Sequence, residues 1–174
     1  MAHIQHSHAR PAHPTAKERS SPMKHLLSTA LITLALTSAA WATKPETPTA
    51  TPGVKLVNVD EAKQLATTKG AVFVDTRSAV NFGKGRVPGA VSASYKEKSE
   101  PTPNFDASLD SFEMAKLPTD KNAKIVFYSD GPTGWKSYKA AVLASKAGYK
   151  NVLYMRSGYA EWEANCLLYT SDAA

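Results

Sequence analysis

The sequence predicts an α/β fold in which a mostly parallel sheet is covered by helices, and three observations carry that expectation. Strand-like and helix-like segments alternate between Val54 and Asn165, the order that builds parallel βαβ units. Ala71-Val72-Phe73-Val74-Asp75 is a continuous apolar run, the pattern of a parallel strand buried on both faces. Ile125-Val126-Phe127-Tyr128 then breaks into the polar loop Ser129-Asp130-Gly131-Pro132-Thr133-Gly134, and a helical pattern follows from Trp135.

In chain order, Lys55–Val59 reads as a short strand, and Asp60 is placed as the cap of a helix over Glu61–Thr68 that Gly70 ends. After the Ala71–Asp75 strand comes a helical turn, Ser78–Phe82, closed by Gly83 and Gly85. Val87-Pro88-Gly89-Ala90-Val91 turns the chain into another short strand. Lys96–Asp106 is polar, holds two prolines and reads as a surface loop. Ser108–Lys116 is a helix candidate, stopped before Pro118. Lys124–Tyr128 is the strongest strand of the chain. Trp135–Ala147 follows as an amphipathic helix with Gly148 at its end. Asn151–Met155 is the last strand, and Tyr159–Ala164 begins a terminal helix. No internal repeat is visible.

Both ends stand apart from this pattern. Met23-Lys24-His25 opens a basic stretch, Leu26–Leu36 is apolar, and Ala40-Trp41-Ala42 has the small residues of a cleavage site. The apolar run is shorter than the roughly 20 residues a bilayer span needs. Residues 23–42 therefore read as a secretory signal peptide cut after Ala42, which places the protein in the periplasm or outside the cell. No cysteine follows the apolar run, so no lipid anchor is expected, and no stable membrane anchor remains after cleavage. Residues 1–22 hold four of the five histidines and read as an upstream extension, with Met23 as the initiator. Thr43–Gly53 (TKPETPTATPG) is expected to be an extended, disordered linker before a domain over residues 54–165. Cys166–Ala174 (CLLYTSDAA) has no link to the preceding pattern and resembles the translation of a sequencing-library adapter.

Composition excludes much chemistry. Thr43–Asn165 contains no cysteine and no histidine. A disulfide, a thiolate or imidazole metal site, and Ser-His-Asp or Cys-His catalysis are all ruled out there. No cofactor and no metal are expected. The same span carries 17 Lys plus Arg against 13 Asp plus Glu, a net charge of +4, and its 14 lysines are scattered. Nucleic-acid binding would need a basic stripe with interleaved aromatics, and none is present.

The loop after Tyr128 is the candidate site. A loop between the carboxyl end of a strand and a helix start aims backbone N–H groups at one spot, with the helix dipole behind them. Residues Ser129, Asp130, Gly131, Pro132, Thr133, Gly134, Trp135, Lys136 and Ser137 are therefore expected to form an anion cradle.

Four motifs together resemble the rhodanese homology domain, the fold of thiosulfate sulfurtransferases and of some dual-specificity phosphatases. They are Asp75-Thr76-Arg77, then Phe82-x-x-Gly85-Arg86-Val87-Pro88-Gly89-Ala90, then Ser129–Lys136, and finally Gly148-Tyr149-x-x-Val152 with Gly158-x-x-x-Trp162. The resemblance covers Val54–Asn165 and implies a three-layer fold with a five-stranded, mostly parallel sheet and helices on both faces. Asp75 and Arg77 are expected to form a structural pair, Pro88 and Gly89 a tight turn, and Tyr149 and Trp162 to be core aromatics. The chain departs from the family at Arg86, where members usually carry His, and at Ser157, where they carry Gly.

The loop departs further. Similar loops read Cys-x-Gly-Pro-x-Cys-x-x-Ser, so Ser129 stands at the catalytic position and Gly134 at the second cysteine. Alignment backward from Lys136-Ser137 against shorter loops puts Gly131 at the catalytic position instead; neither alignment supplies a cysteine. Sulfur transfer in the family passes through a cysteine persulfide, whose thiolate forms because dipole and cations lower a thiol pKa of about 8.5. A serine hydroxyl has no comparable anion and holds no sulfane sulfur. Asp130 opposes an anion by Coulomb repulsion, which Lys136 partly offsets. The expectation is an exported binding module for a small anion (thiosulfate, sulfate or phosphate) or a protein partner. A sulfurtransferase of unusual kind, an accessory subunit to an active one, and a structural domain with an empty loop are the alternatives.

Overall fold

The computed structural model describes residues 43–171, with side chains as far as Asn165. The expected upstream extension and signal peptide, and residues 172–174, lie outside the described residues.

The main sheet has five strands in the order β1-β7-β6-β2-β3. These are β1 (Val54–Leu56), β2 (Val72–Asp75), β3 (Val91–Ser92), β6 (Lys124–Tyr128) and β7 (Asn151–Tyr154). Every pairing among them is parallel. The crossovers are α1 (Val59–Thr67), α2 (Ala79–Lys84) and α3 (Trp135–Lys146), and α4 (Gly158–Ser171) closes the chain. A short antiparallel pair, β4 (Tyr95–Lys96) with β5 (Ser111–Phe112), lies apart from the main sheet.

Strand alternation divides the core. Along β6, Ile125 and Phe127 enter one cluster with Trp135, Tyr138, Ala141 and Ala144 of α3. Val126 and Tyr128 enter the other, with Ala62 of α1 and Trp162 of α4. All four of these strand residues are buried, as a central parallel strand covered on both faces requires. Trp162 packs on Phe73 with ring centroids 6.1 Å apart, so it is a core aromatic. Tyr149 is buried too, and its hydroxyl donates to the Pro118 carbonyl.

Several expectations are corrected. Asn58, not Asp60, caps α1: its Oδ1 accepts from the Glu61 amide at 2.8 Å, while the Glu61 carboxylate accepts from the Asn58 amide at 3.1 Å. This reciprocal box satisfies two otherwise unpaired donors and places the helix start at Val59, two residues nearer the N-terminus than expected. At the other end Lys69, with φ 51°, takes the left-handed position expected of Gly70. The Ser108–Lys116 helix does not form; two single 3-10 turns, Ala107–Leu109 and Met114–Lys116, flank β5 instead.

The cause of that last change is Asp110. Its carboxylate accepts from the Lys98 and Ser99 amides, the Ser99 hydroxyl and the Tyr95 hydroxyl, all within 2.7 Å. Gathering these donors holds Asp110 extended, with φ −95° and ψ 164°, and breaks the helix. Lys139 of α3, fully buried, donates to the Ser99 carbonyl and hydroxyl and lies 3.7 Å from Asp110. Burial opposes the charge on Asp110, but the hydrogen bonds from Ser99, Lys98 and Tyr95 outweigh it and hold the pKa well below the ordinary carboxylate value.

Residues 43–53 are also corrected. They are ordered against the domain rather than a free linker, and Thr47 is among the buried residues. Lys44 pairs with Glu97 at 2.6 Å, and Arg156 holds Glu46 at 2.5 Å and the Thr47 carbonyl at 2.9 Å.

Replacing Asp110 by Ala would remove one of the two carboxylates near the buried Lys139 ammonium and leave four hydrogen-bond donors without their acceptor. Asp110→Ala is expected to lower stability at pH 7 by about 3 kcal/mol in urea unfolding. Because the folded pKa is depressed, this stabilisation is complete above the unfolded value of about 3.9 and is lost as pH falls through the folded one. The variant should therefore lose less stability than the parent between about pH 4 and pH 2.

Candidate functional site

The site is built at the carboxyl ends of β2, β6 and β7, the edge where ligands of open parallel sheets sit. β6 delivers Ser129, which is only 2% exposed. The loop then curls on itself: the Gly134 amide donates to the Gly131 carbonyl at 2.8 Å, and the Trp135 amide to Thr133 at 3.0 Å. The curl needs a glycine at 134, where a Cβ would lie 2.7 Å from the Gly131 carbonyl and 2.8 Å from the Ser129 Cβ.

Two segments grip this loop through its carbonyls. From the start of α4, the Tyr159 amide donates to the Ser129 carbonyl at 2.8 Å and the Ala160 amide to Asp130 at 3.0 Å. From the N-terminal segment, the amide and hydroxyl of Thr47 both reach the Pro132 carbonyl at 2.9 Å. The Trp135 indole donates to the Pro45 carbonyl at 2.7 Å. Among the described residues, the amides of Asp130, Gly131 and Thr133 have no hydrogen-bond partner. The carbonyls are engaged and these N–H groups are left over. That asymmetry suits an anion.

Not all of the expected cradle faces it. The Ser137 hydroxyl donates back to the Gly134 carbonyl at 3.0 Å, and the Trp135 indole is buried against Pro45. Lys136 lies in the first turn of α3 beside the loop. Asp130 is at the mouth, its side chain 69% exposed.

Beside the loop, Arg77 makes a forked pair with Asp75, with contacts of 3.0, 3.1 and 2.7 Å from Nε and Nη2. The Arg77 amide also donates to Asp75 at 2.9 Å, and its Nη2 to the Gly85 carbonyl at 2.6 Å. Its Nη1 lies 3.8 Å from Asp130, and its guanidinium stacks 4.3 Å above the Tyr159 ring. Burial works against the charge, yet the Asp75 hydrogen bonds and charge overcome it and raise the Arg77 pKa above its ordinary value. This cation is already committed, so it is not a free anion ligand. A Cβ at Gly85 would strike the Tyr159 hydroxyl, which explains that glycine. A cleft of about 380 Å³ opens here, bordered by Arg77, Lys84, Asp130, Tyr159 and Glu163.

Arg86, Pro88 and Gly89 do not join the site. They form an exposed turn in which Gly89 has φ 74° and the Ala90 amide donates to the Val87 carbonyl. Arg86 lies over the Phe82 ring at 4.7 Å. The sequence reading missed Thr47, Arg156 and Tyr159. Tyr159 adjoins the Gly158 motif and was open to notice, whereas nothing local marks the other two.

Gly158 is the tightest point. Its φ is 70°, and a Cβ would sit 2.6 Å from the Asp130 carbonyl carbon and the Gly131 amide nitrogen, and 2.7 Å from the Ser129 carbonyl oxygen. Gly158→Ala is expected to cost about 2–4 kcal/mol and to move the amide resonances of residues 129–131. Unchanged resonances there would show that α4 does not set the loop.

The rhodanese-like domain family matches residues 58–165. No curated protein matches the chain in sequence. Among solved structures, the chain is similar to the human single-domain sulfurtransferase TSTD1, at 23% identity and TM-score 0.45 over 63% of this chain and 95% of that one. It is also similar to an uncharacterised Saccharomyces cerevisiae protein, at 18% identity and TM-score 0.45, covering 64% and 92% of the two chains. A third is a Rhodopseudomonas palustris protein described as a possible tyrosine phosphatase, at 18% identity and TM-score 0.44, covering 71% and 96%. With the family matched over most of the chain, and a five-stranded parallel sheet carrying the loop at its carboxyl edge, the protein belongs to the rhodanese-like domain family.

Proposed function

We propose that this chain is an exported rhodanese-like domain without sulfurtransferase activity, whose loop 129–134 serves as a cradle for a small oxyanion or for an anionic group on a protein partner. The observation that carries the reading is Ser129. The family resemblance puts it, or Gly131 on the shorter alignment, at the nucleophile position, and residues 43–165 contain neither a cysteine nor a histidine to replace or activate it. The leftover amides of Asp130, Gly131 and Thr133 support the cradle. Export rests on the pattern of residues 23–42; cleavage after Ala42 would leave the Lys44–Thr47 contacts intact. No described helix is long and apolar enough to cross a membrane.

Titration of the full chain with thiosulfate, sulfate or phosphate is expected to shift the amides of residues 130–133 at millimolar ligand. Asp130→Asn should tighten that binding roughly fourfold, the equivalent of about 0.8 kcal/mol between unit charges ~5 Å apart in water. Turnover of thiosulfate with cyanide should be absent. Turnover that Ser129→Ala abolishes would overturn the reading. N-terminal sequencing of the exported protein should begin at Thr43.

A further inference from the structure

A second cavity, of about 730 Å³, opens at the opposite edge of the sheet, where β6 and β7 begin. Parallel strands are normally apolar on both faces, because helices cover both. Here the pattern fails at one corner. On β6, Val126 and Tyr128 point into the α1 and α4 side, so strand alternation puts Lys124 on that same face. On β7, Leu153 points there, and Asn151 with it; Lys124 and Asn151 are paired in register. On β1, Val57 just beyond the strand lies on this side, and Lys55 shares its face, level with Leu153. Two lysines and an asparagine thus occupy sheet positions where a covered strand would carry Val or Ile.

The polar groups are unevenly placed. Lys55, on the edge strand, already has Glu61 of α1 at 3.5 Å. At the other end, Lys124 and the neighbouring Lys150 have no carboxylate within ion-pair distance among the described residues. Between the two ends run Val57, Leu153 and Leu65 of α1, which also line the cavity. One end is therefore cationic and unneutralised, the middle is apolar, and the far end is balanced. The volume falls within the range of about 300–1,000 Å³ typical of small-molecule sites.

We infer that this groove binds an amphipathic organic anion, with a carboxylate head on Lys124 and Lys150 and an apolar chain laid over Leu153 and Leu65. The inference is independent of the loop at the other edge. Neither requires the other.

Octanoate added to the full chain, kept well below its micelle concentration, is the probe, read by backbone amide shifts. Saturable shifts are expected at Lys55–Val57 and Asn151–Leu153, with none tracking them at residues 129–134. Octanol should bind about fivefold to tenfold more weakly, and acetate should give no saturable shift. Lys124→Ala with Lys150→Ala should weaken octanoate about fivefold to tenfold, the combined effect expected of two exposed ion pairs. Both are surface side chains, so the fold should persist, which circular dichroism checks. Octanoate binding equal in parent and double variant, equal binding of octanol, or shifts confined to residues 129–134 would each overturn the assignment.

Discussion

Four parts of the chain converge on the guanidinium of Arg77. It is forked onto Asp75 at the end of β2, hydrogen-bonded to the Gly85 carbonyl that follows α2, stacked on Tyr159 of α4, and 3.8 Å from Asp130 of the loop. The arginine is 5% exposed and its aspartate fully buried, so neither charge is tolerable without the other. An exposed pair two residues apart would contribute little. This one gains from shape: a planar fork meets a carboxylate while Nη2 also binds a backbone carbonyl. Lysine could not make the same set of contacts. The carboxyl edge of the sheet is organised around that geometry.

The loop is held by a related economy. Its carbonyls at Ser129, Asp130 and Pro132 are engaged by α4 and Thr47, which leaves donors rather than acceptors over. Two glycines make this possible: Gly134 lets the loop close on itself, and Gly158 lets α4 come against its backbone. The loop is thus held closed on all sides, and residues 43–165 carry no cysteine or histidine. Arg77 does not compensate, because Asp75 already occupies it. What is left at the mouth is one exposed carboxylate, Asp130, and the nearby Lys136.

Much of the fold could be read from the chain itself. The apolar runs at 71–75 and 124–128, their alternation with helices and the glycines that punctuate them led to a parallel sheet covered on both faces. The pairing of Asp75 with Arg77 and the core placement of Trp162 followed from the same motifs. Errors fell where long-range polar contacts decide local structure. Asp110 has helix-compatible neighbours, yet donors from Tyr95, Lys98 and Ser99 hold it extended. Thr43–Gly53 has the composition of a free linker, but composition carries no record of acceptors and donors offered by Pro132, Trp135 and Arg156.

The sequence by itself determined the class of the fold, the position of the strand–loop–helix unit and the absence of a thiol or imidazole from residues 43–165. These depend on residue type and local period, which a linear chain displays. Only the tertiary structure decided that Arg77 is committed to Asp75 and Gly85 through Nε and Nη2, that Ser137 and Trp135 turn away from the loop, and that Thr47 closes it from outside. Each of those outcomes depends on which polar groups meet after the chain has folded. A buried donor takes whichever acceptor the fold brings to it, because leaving it unpaired costs about 1–3 kcal/mol.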